Sequence, residues 1–213
     1  MGQHNYRILV VTNLNKISHS VRPEYQMFLH WVSWGHEVTV VTPACEQAKS
    51  VTAAGIKLIT SGQRKKLCWR TIRLLRRELQ QHNYDFIYAT DSKSIPSAAF
   101  AAMGHSAKLV VYRGTTSGLY WHDPTSYLTV LHPRVDAVAC VSESVRSSLI
   151  DKVKLASDRV VAIHKGDDLS WYQQRPAELL DFSIPDDAFV VVAVANFRPK
   201  KGLSVLLAAV DQL

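Results

Sequence analysis

Apolar positions along the chain fall into two patterns. Short continuous runs rich in Val and Ile occupy residues 7–12, 37–42, 56–60, 85–90, 108–113, 136–141, 159–163 and 189–195. Most are separated by segments long enough for a helix. Continuous runs suit strands buried on both faces, so the order of elements predicts a parallel sheet covered by helices on both sides. The expected fold class is α/β, a doubly wound, Rossmann-like sheet.

Two helices can be read closely. Pro23 suits an opening turn, Tyr25, Phe28, Leu29 and Val32 fall at i, i+3, i+4 and i+7, and Gly35 stands where a left-handed terminus is wanted. After the run 136–141, the Ser142 hydroxyl is a cap and the Glu143 carboxylate suits a positive first turn. Val145 and Leu149 then face inward.

The pattern breaks between residues 165 and 188, a polar stretch with Pro176 and Pro185. Residues 1–170 therefore read as one domain and 171–188 as a linker. Residues 189–213 read as the first βα unit of a second domain: a strand, the turn FRPKKG and a helix over 203–213. A lone βα unit leaves most of its apolar surface uncovered, so the expectation is the front part of a longer protein. The alternative adds this segment to the first sheet.

Composition narrows the class. With 213 residues, 47% apolar and 20% charged, the chain is neither disordered nor collagen-like nor a small disulfide scaffold. Its apolar runs fall short of the roughly 20 residues of a membrane-spanning helix, and the first residues lack a signal-peptide layout. A cytoplasmic protein is expected. Cys45, Cys68 and Cys140 fit no zinc or redox spacing and read as buried thiols in a reducing compartment. The nine histidines form no close pair, so no metal site is expected.

The net charge of +7 is concentrated in residues 64–78, where seven cations face one anion, Glu78. On a helical wheel Cys68, Ile72, Leu75 and Leu79 form one stripe, and Lys66, Arg70, Arg73 and Arg77 form another opposite it. Trp69 flanks the basic stripe. Such a face suits an anionic membrane surface, with the cations on phosphates and Trp69 at the interface. A solvated helix face is the plainer alternative. Nucleic acid is disfavoured, because the rest of the chain is nearly neutral and aromatic interleaving is absent.

In an open parallel sheet, ligands bind beyond the carboxyl ends of the strands. The loop after the first run contains no glycine, which argues against a nicotinamide or flavin enzyme, and no P-loop is present. After the fifth run, Arg113, Gly114 and Thr115, with Thr116 and Ser117, suit a phosphate or a sugar; an ordinary surface loop is the alternative. The turn FRPKKG opens a helix beside Arg198, Lys200 and Lys201 and suits a diphosphate, unless these are simply solvated basic residues.

Taken in order, RILVVTN (7–13), GHEVTVVTP (35–43), VDAVACVSESVRSSLI (135–150), RVVAIHKGDD (159–168) and VVVAVANFRPKKGLSVLLAAV (190–210) resemble the retaining glycosyltransferases of family four, which have the GT-B fold. The resemblance covers nearly the whole chain. It implies an N-terminal acceptor domain facing a C-terminal domain that holds a nucleotide diphosphate sugar, as substrate and without metal or other cofactor. By this resemblance Lys201 contacts the donor diphosphate. The accompanying family arginine falls at Asn196, with Arg198 two residues on. The family's histidine position after the fifth strand holds Arg113 and Gly114, and its glycine-rich first loop is replaced by His19, Ser20, Val21 and Arg22. With the first domain on the acceptor side, the acceptor-binding candidates are Ser20, Arg22, Asp91, Arg113, Gly114, Thr115 and Glu143.

The resemblance implies transfer of a sugar to a glycan or lipid-linked acceptor. Retention then resembles a front-face reaction in which the leaving diphosphate, steadied by Lys201 and the helix dipole, assists the attacking hydroxyl. No residue here is a convincing covalent nucleophile, so the catalytic residues stay unassigned. The family's paired glutamates belong to a second half beyond this length, and the 213 residues alone are expected to be inactive. Localisation is expected to be cytoplasmic, peripheral on the inner face of the membrane if the basic segment meets lipid. A nucleotide-sugar epimerase of the same architecture and a non-catalytic membrane- or glycan-binding remnant are the alternatives.

Overall fold

In the computed structural model, residues 4–15, 21–63, 65–173, 178–185, 187–195, 197–210 and 212 are described. Seven of the eight apolar runs form strands: β1 (Arg7–Val11), β2 (Glu37–Thr42), β3 (Lys57–Thr60), β4 (Phe86–Ala89), β5 (Lys108–Arg113), β6 (Ala137–Cys140) and β7 (Val160–Ala162). All pair in parallel, in the order β3-β2-β1-β4-β5-β6-β7. The order reverses between β1 and β4, which makes that junction the switch point of a doubly wound sheet.

Successive residues of each strand point to opposite faces, and each face has its own core. On one, Leu9 and Val11, Ile87 and Ala89, and Leu109 and Val111 pack beneath α3 (Trp69–Gln81), α4 (Ser94–Ala101) and α5 (Glu143–Val153). On the other, Ile8, Val10, Val38 and Val40 pack beneath α1 (Arg22–Ser33) and α2 (Ala48–Ala53) through Phe28 and Val51. Phe28 is fully buried, which is worth about 1.5–3 kcal/mol relative to exposure.

α1 carries Pro23 in its first turn, and Gly35, at φ +87°, takes the left-handed turn into β2. The Ser142 hydroxyl accepts from Val145 N at the start of α5, 3.4 Å away. α3 departs from expectation: it starts at Trp69, leaving Lys66 exposed ahead of the helix. Gln63 and Cys68 are tied instead to α4 and the residue before it, where the Gln63 side chain donates to Lys93 O and Ser97 Oγ, and Cys68 N donates to Ser97 Oγ at 3.4 Å. Of the three cysteines, Cys140 is buried, as expected, while Cys45 and Cys68 are only half-buried.

The chain divides into two compact units, Met1–Asp167 and Asp168–Leu213. The second contains 3-10 turns at Leu169–Trp171, Leu179–Phe182 and Pro199–Lys201, then α6 (Leu203–Val210). The strand expected over 189–195 is not formed. The seven-stranded sheet does not include this segment, and Phe189 and Val194 are 95% and 94% exposed. A β-strand is defined by a hydrogen-bonded neighbour, and none is present among the described residues.

Candidate functional site

The sheet order brings the expected acceptor-side residues to four adjacent strand ends. Arg22 follows the β1 loop, Asp91 follows β4, Arg113, Gly114 and Thr115 lie at the end of β5, and Glu143 follows β6. Ser20 lies outside the described residues. The edge is pinned at the switch point, where the Thr12 and Thr90 hydroxyls meet at 2.5 Å.

Asp91 caps its own turn. Its Oδ1 accepts from Lys93 N at 2.8 Å and Ser94 N at 3.1 Å, and Asp91 N donates to Ser94 Oγ at 3.0 Å. This turn lines a small recess of about 40 Å³ with Thr12, Asn13, Pro43, Ser61 and Gln63.

Arg113 is occupied by its own loop. Its Nε donates to Thr115 O at 2.7 Å and its Nη2 to Ser117 O, so the guanidinium braces the turn that the sequence offers to a ligand. Burial lowers its pKa, with the nearby Cys140 acting in the opposite direction. Glu143 is exposed and pairs with Arg146 at 2.7 Å.

A further recess was not anticipated from the sequence. A cleft of about 500 Å³ opens on the α1 side of the sheet. Ile8, Phe86, Val110 and Ala139 form its floor, while Trp31 and Met27 of α1 stand on one side and Ile163 and His164 on the other. At its carboxyl-edge end Lys165 Nζ donates to Glu24 Oε1 at 2.8 Å and lies 4.6 Å from the centre of the Tyr112 ring. Burial pulls the Lys165 pKa down, but Glu24 and Tyr112 outweigh it and the net shift is upward. Tyr88 is half-buried here, and desolvation, followed by the Glu24 charge, raises its hydroxyl pKa far above the ordinary value.

Neither Glu24 nor Lys165 was marked as a site residue by sequence reasoning. Glu24 is an acid in the first turn of α1, and Lys165 falls at the start of the polar stretch where the pattern breaks.

In the second unit Lys201 closes the 3-10 turn Pro199–Lys201 and is exposed, Arg198 precedes that turn and is also exposed, and Gly202 turns at φ +69° into α6. Asn196 lies outside the described residues. On α3, Arg70, Arg73 and Arg77 are exposed with Trp69, which is 64% exposed. Among the described residues no group of three or more His, Cys, Asp or Glu is placed to hold a metal ion, and no helix is long and apolar enough to cross a membrane.

A doubly wound Rossmann-like sheet with its candidate ligand edge on neighbouring strand ends is the α/β architecture of GT-B glycosyltransferases. A family model described as Glycosyltransferase Family 4 matches residues 25–171, well over half of the chain. The chain belongs to glycosyltransferase family 4.

Among solved structures, a glycosyltransferase from Rickettsia africae is 16% identical with a TM-score of 0.70, over 98% of this chain and 57% of that one. Anabaena HepE, solved with UDP and glucose, is 16% identical with a TM-score of 0.61, over 81% and 47%. A UDP-GlcNAc 2-epimerase from Neisseria meningitidis, solved with UDP-GlcNAc, is 15% identical with a TM-score of 0.51, over 73% and 45%. The chain thus spans about half the length of the solved structures it matches. No curated protein sequence matches it.

Proposed function

We propose that this chain supplies the acceptor-binding part of a glycosyltransferase that moves a sugar from a nucleotide diphosphate sugar to a glycan or lipid-linked acceptor, with retention of configuration. The observation that carries the reading is the family match over 25–171, which runs through the three adjacent strand ends, of β4, β5 and β6, bearing Asp91, Arg113 and Glu143. HepE, solved with UDP and glucose, supports a nucleotide sugar as donor. In this reading residues 1–170 form the acceptor domain, 171–188 the linker and 189–213 the start of the donor domain.

Each group then has a role. Lys201, with Arg198 and Asn196 nearby in sequence, takes the donor diphosphate, because cations at a helix start offset the charge that grows on a leaving phosphate. Arg22, Asp91, Gly114, Thr115 and Glu143, with Ser20, surround the acceptor hydroxyl, and Arg113 fixes the shape of the loop that carries Gly114 and Thr115. No metal or other cofactor enters this scheme. The exposed cations of α3, with Trp69 and the preceding Lys66, rest on an anionic membrane surface, making the protein peripheral on the cytoplasmic side.

Product analysis with isotopically labelled nucleotide sugars, on the protein at its natural full length, tests the reading. Label passing to an acceptor with its anomeric configuration kept supports it. A changed donor sugar without any acceptor would instead identify an epimerase, and no change in either would remove the enzymatic assignment.

A further inference from the structure

We propose that Glu24 and Lys165 are positioning residues that hold three segments of the carboxyl edge, the first turn of α1 and the loops after β5 and β7, in one arrangement for the acceptor. The proposal rests on the glycosyltransferase reading for its purpose, while its structural basis is independent of that reading.

The pair joins elements 141 residues apart. Glu24 sits in the first turn of α1, directly after the β1 loop, and its side chain is only 11% exposed. Lys165 sits just beyond β7, with its side chain 31% exposed. Their 2.8 Å bond therefore ties the segment after β7 to the helix after β1.

The loop after β5 is reached through an aromatic ring. Lys165 Nζ lies 4.6 Å from the centre of the Tyr112 ring, a cation–π distance. That ring packs so closely against Gly114 that a β-carbon there would sit 3.2 Å from Tyr112 Cε1. Gly114 opens the loop braced by Arg113, so the ammonium group is linked to both the β1 side and the β5 side of the edge.

Stability alone is a poor reason for this pair. Its surroundings are apolar and aromatic, with Met27, Trp31, Tyr88 and Ile163 lining the same cleft. Two charges in such a place lose much of their hydration, and a well-packed apolar pair of similar volume often stabilises as well or better. What an ion pair adds is direction: one donor, one acceptor and one separation, repeated in every molecule. At a site that must orient an acceptor hydroxyl, small misplacements cost rate, and fixed geometry is the useful property.

Hydrogen exchange read by mass spectrometry on the full chain tests the proposal, using Lys165→Met, Glu24→Gln and the reversed pair Glu24→Lys with Lys165→Glu. Each single variant is expected to speed exchange at least tenfold in peptides covering 21–25, 113–118 and 163–167, with β3 and α3 unchanged, and the reversed pair is expected to restore much of the protection. Faster exchange confined to 163–167, a uniform rise across the chain, or no change would each overturn it. In the active transferase, Lys165→Met is expected to raise the acceptor KM severalfold with the donor KM unchanged, and an equal change in both would also count against the proposal. If the wild-type protein transfers no sugar, the functional reading fails while the exchange result still decides whether the three segments are coupled.

Discussion

The Thr12 and Thr90 hydroxyls meet at 2.5 Å just beyond the paired ends of β1 and β4. Thr12 is only 4% exposed, so its hydroxyl has little access to water. The adjacent Thr42 hydroxyl accepts from Leu14 N at 3.0 Å, extending the tie toward β2. Together these bonds hold the floor of the crevice on which the candidate residues stand.

Thr90→Val is therefore expected to cost about 1–3 kcal/mol by leaving the Thr12 hydroxyl unpaired, whereas the double change to Val at both positions costs less than the sum of the singles. Urea denaturation of the four proteins of this cycle checks it. Additive effects would show that the two hydroxyls do not interact.

Gly114→Ala is expected to destabilise the protein by about 1–3 kcal/mol, because the added β-carbon presses on a Tyr112 ring that Lys165 holds in place. Combining it with Tyr112→Ala should remove most of the additional penalty from Gly114→Ala. Thermal denaturation measures both, and a penalty unaltered by loss of the ring would place the strain elsewhere.

Most of the first compact unit was legible in the sequence, because a strand buried on both faces leaves an unbroken apolar run and seven such runs became strands. The run at 189–195 is equally apolar, yet pairing depends on a neighbour, which no local pattern encodes. The start of α3 was misread for a related reason, since the ties of Gln63 and Cys68 to α4 are tertiary and override a basic stretch that would continue the helix. Loop positions at the strand ends followed from the order of runs. The Glu24–Lys165 pair did not, because nothing local links residues 141 positions apart.

Acid should unfold the protein partly through two carboxyl groups. Burial pushes Glu78 up, but hydrogen bonds from Lys57 and Tyr84 outweigh it, and its pKa is lowered. Burial likewise pushes Asp136 up, and Leu109 N together with Arg134 brings it down. Groups depressed in the folded state contribute stability above their unfolded pKa, near pH 4, and lose it as pH falls through the folded value. Stability should drop as pH falls from about 5 toward 3, and Asp136→Asn and Glu78→Gln should each flatten that slope while lowering stability at pH 7. Denaturant titrations across that range check the sign.

Reversing Arg70 and Arg73 to Glu is expected to abolish sedimentation with vesicles rich in phosphatidylglycerol. Each basic residue near such a surface is worth about 1 kcal/mol, so the double reversal should weaken partitioning more than tenfold. Vesicles of phosphatidylcholine alone should bind neither protein. Undiminished sedimentation of the variant would assign α3 to solvent.

Thermal denaturation of the complete protein with a panel of nucleotide diphosphate sugars, comparing the wild type with Lys201→Ala, tests the central claim most directly. A ligand at a hundred times its Kd stabilises by about 2.7 kcal/mol, so at least one donor should raise Tm by several degrees, and the variant should lose most of that rise. No shift with any nucleotide sugar, or the same shift in both proteins, would contradict the account.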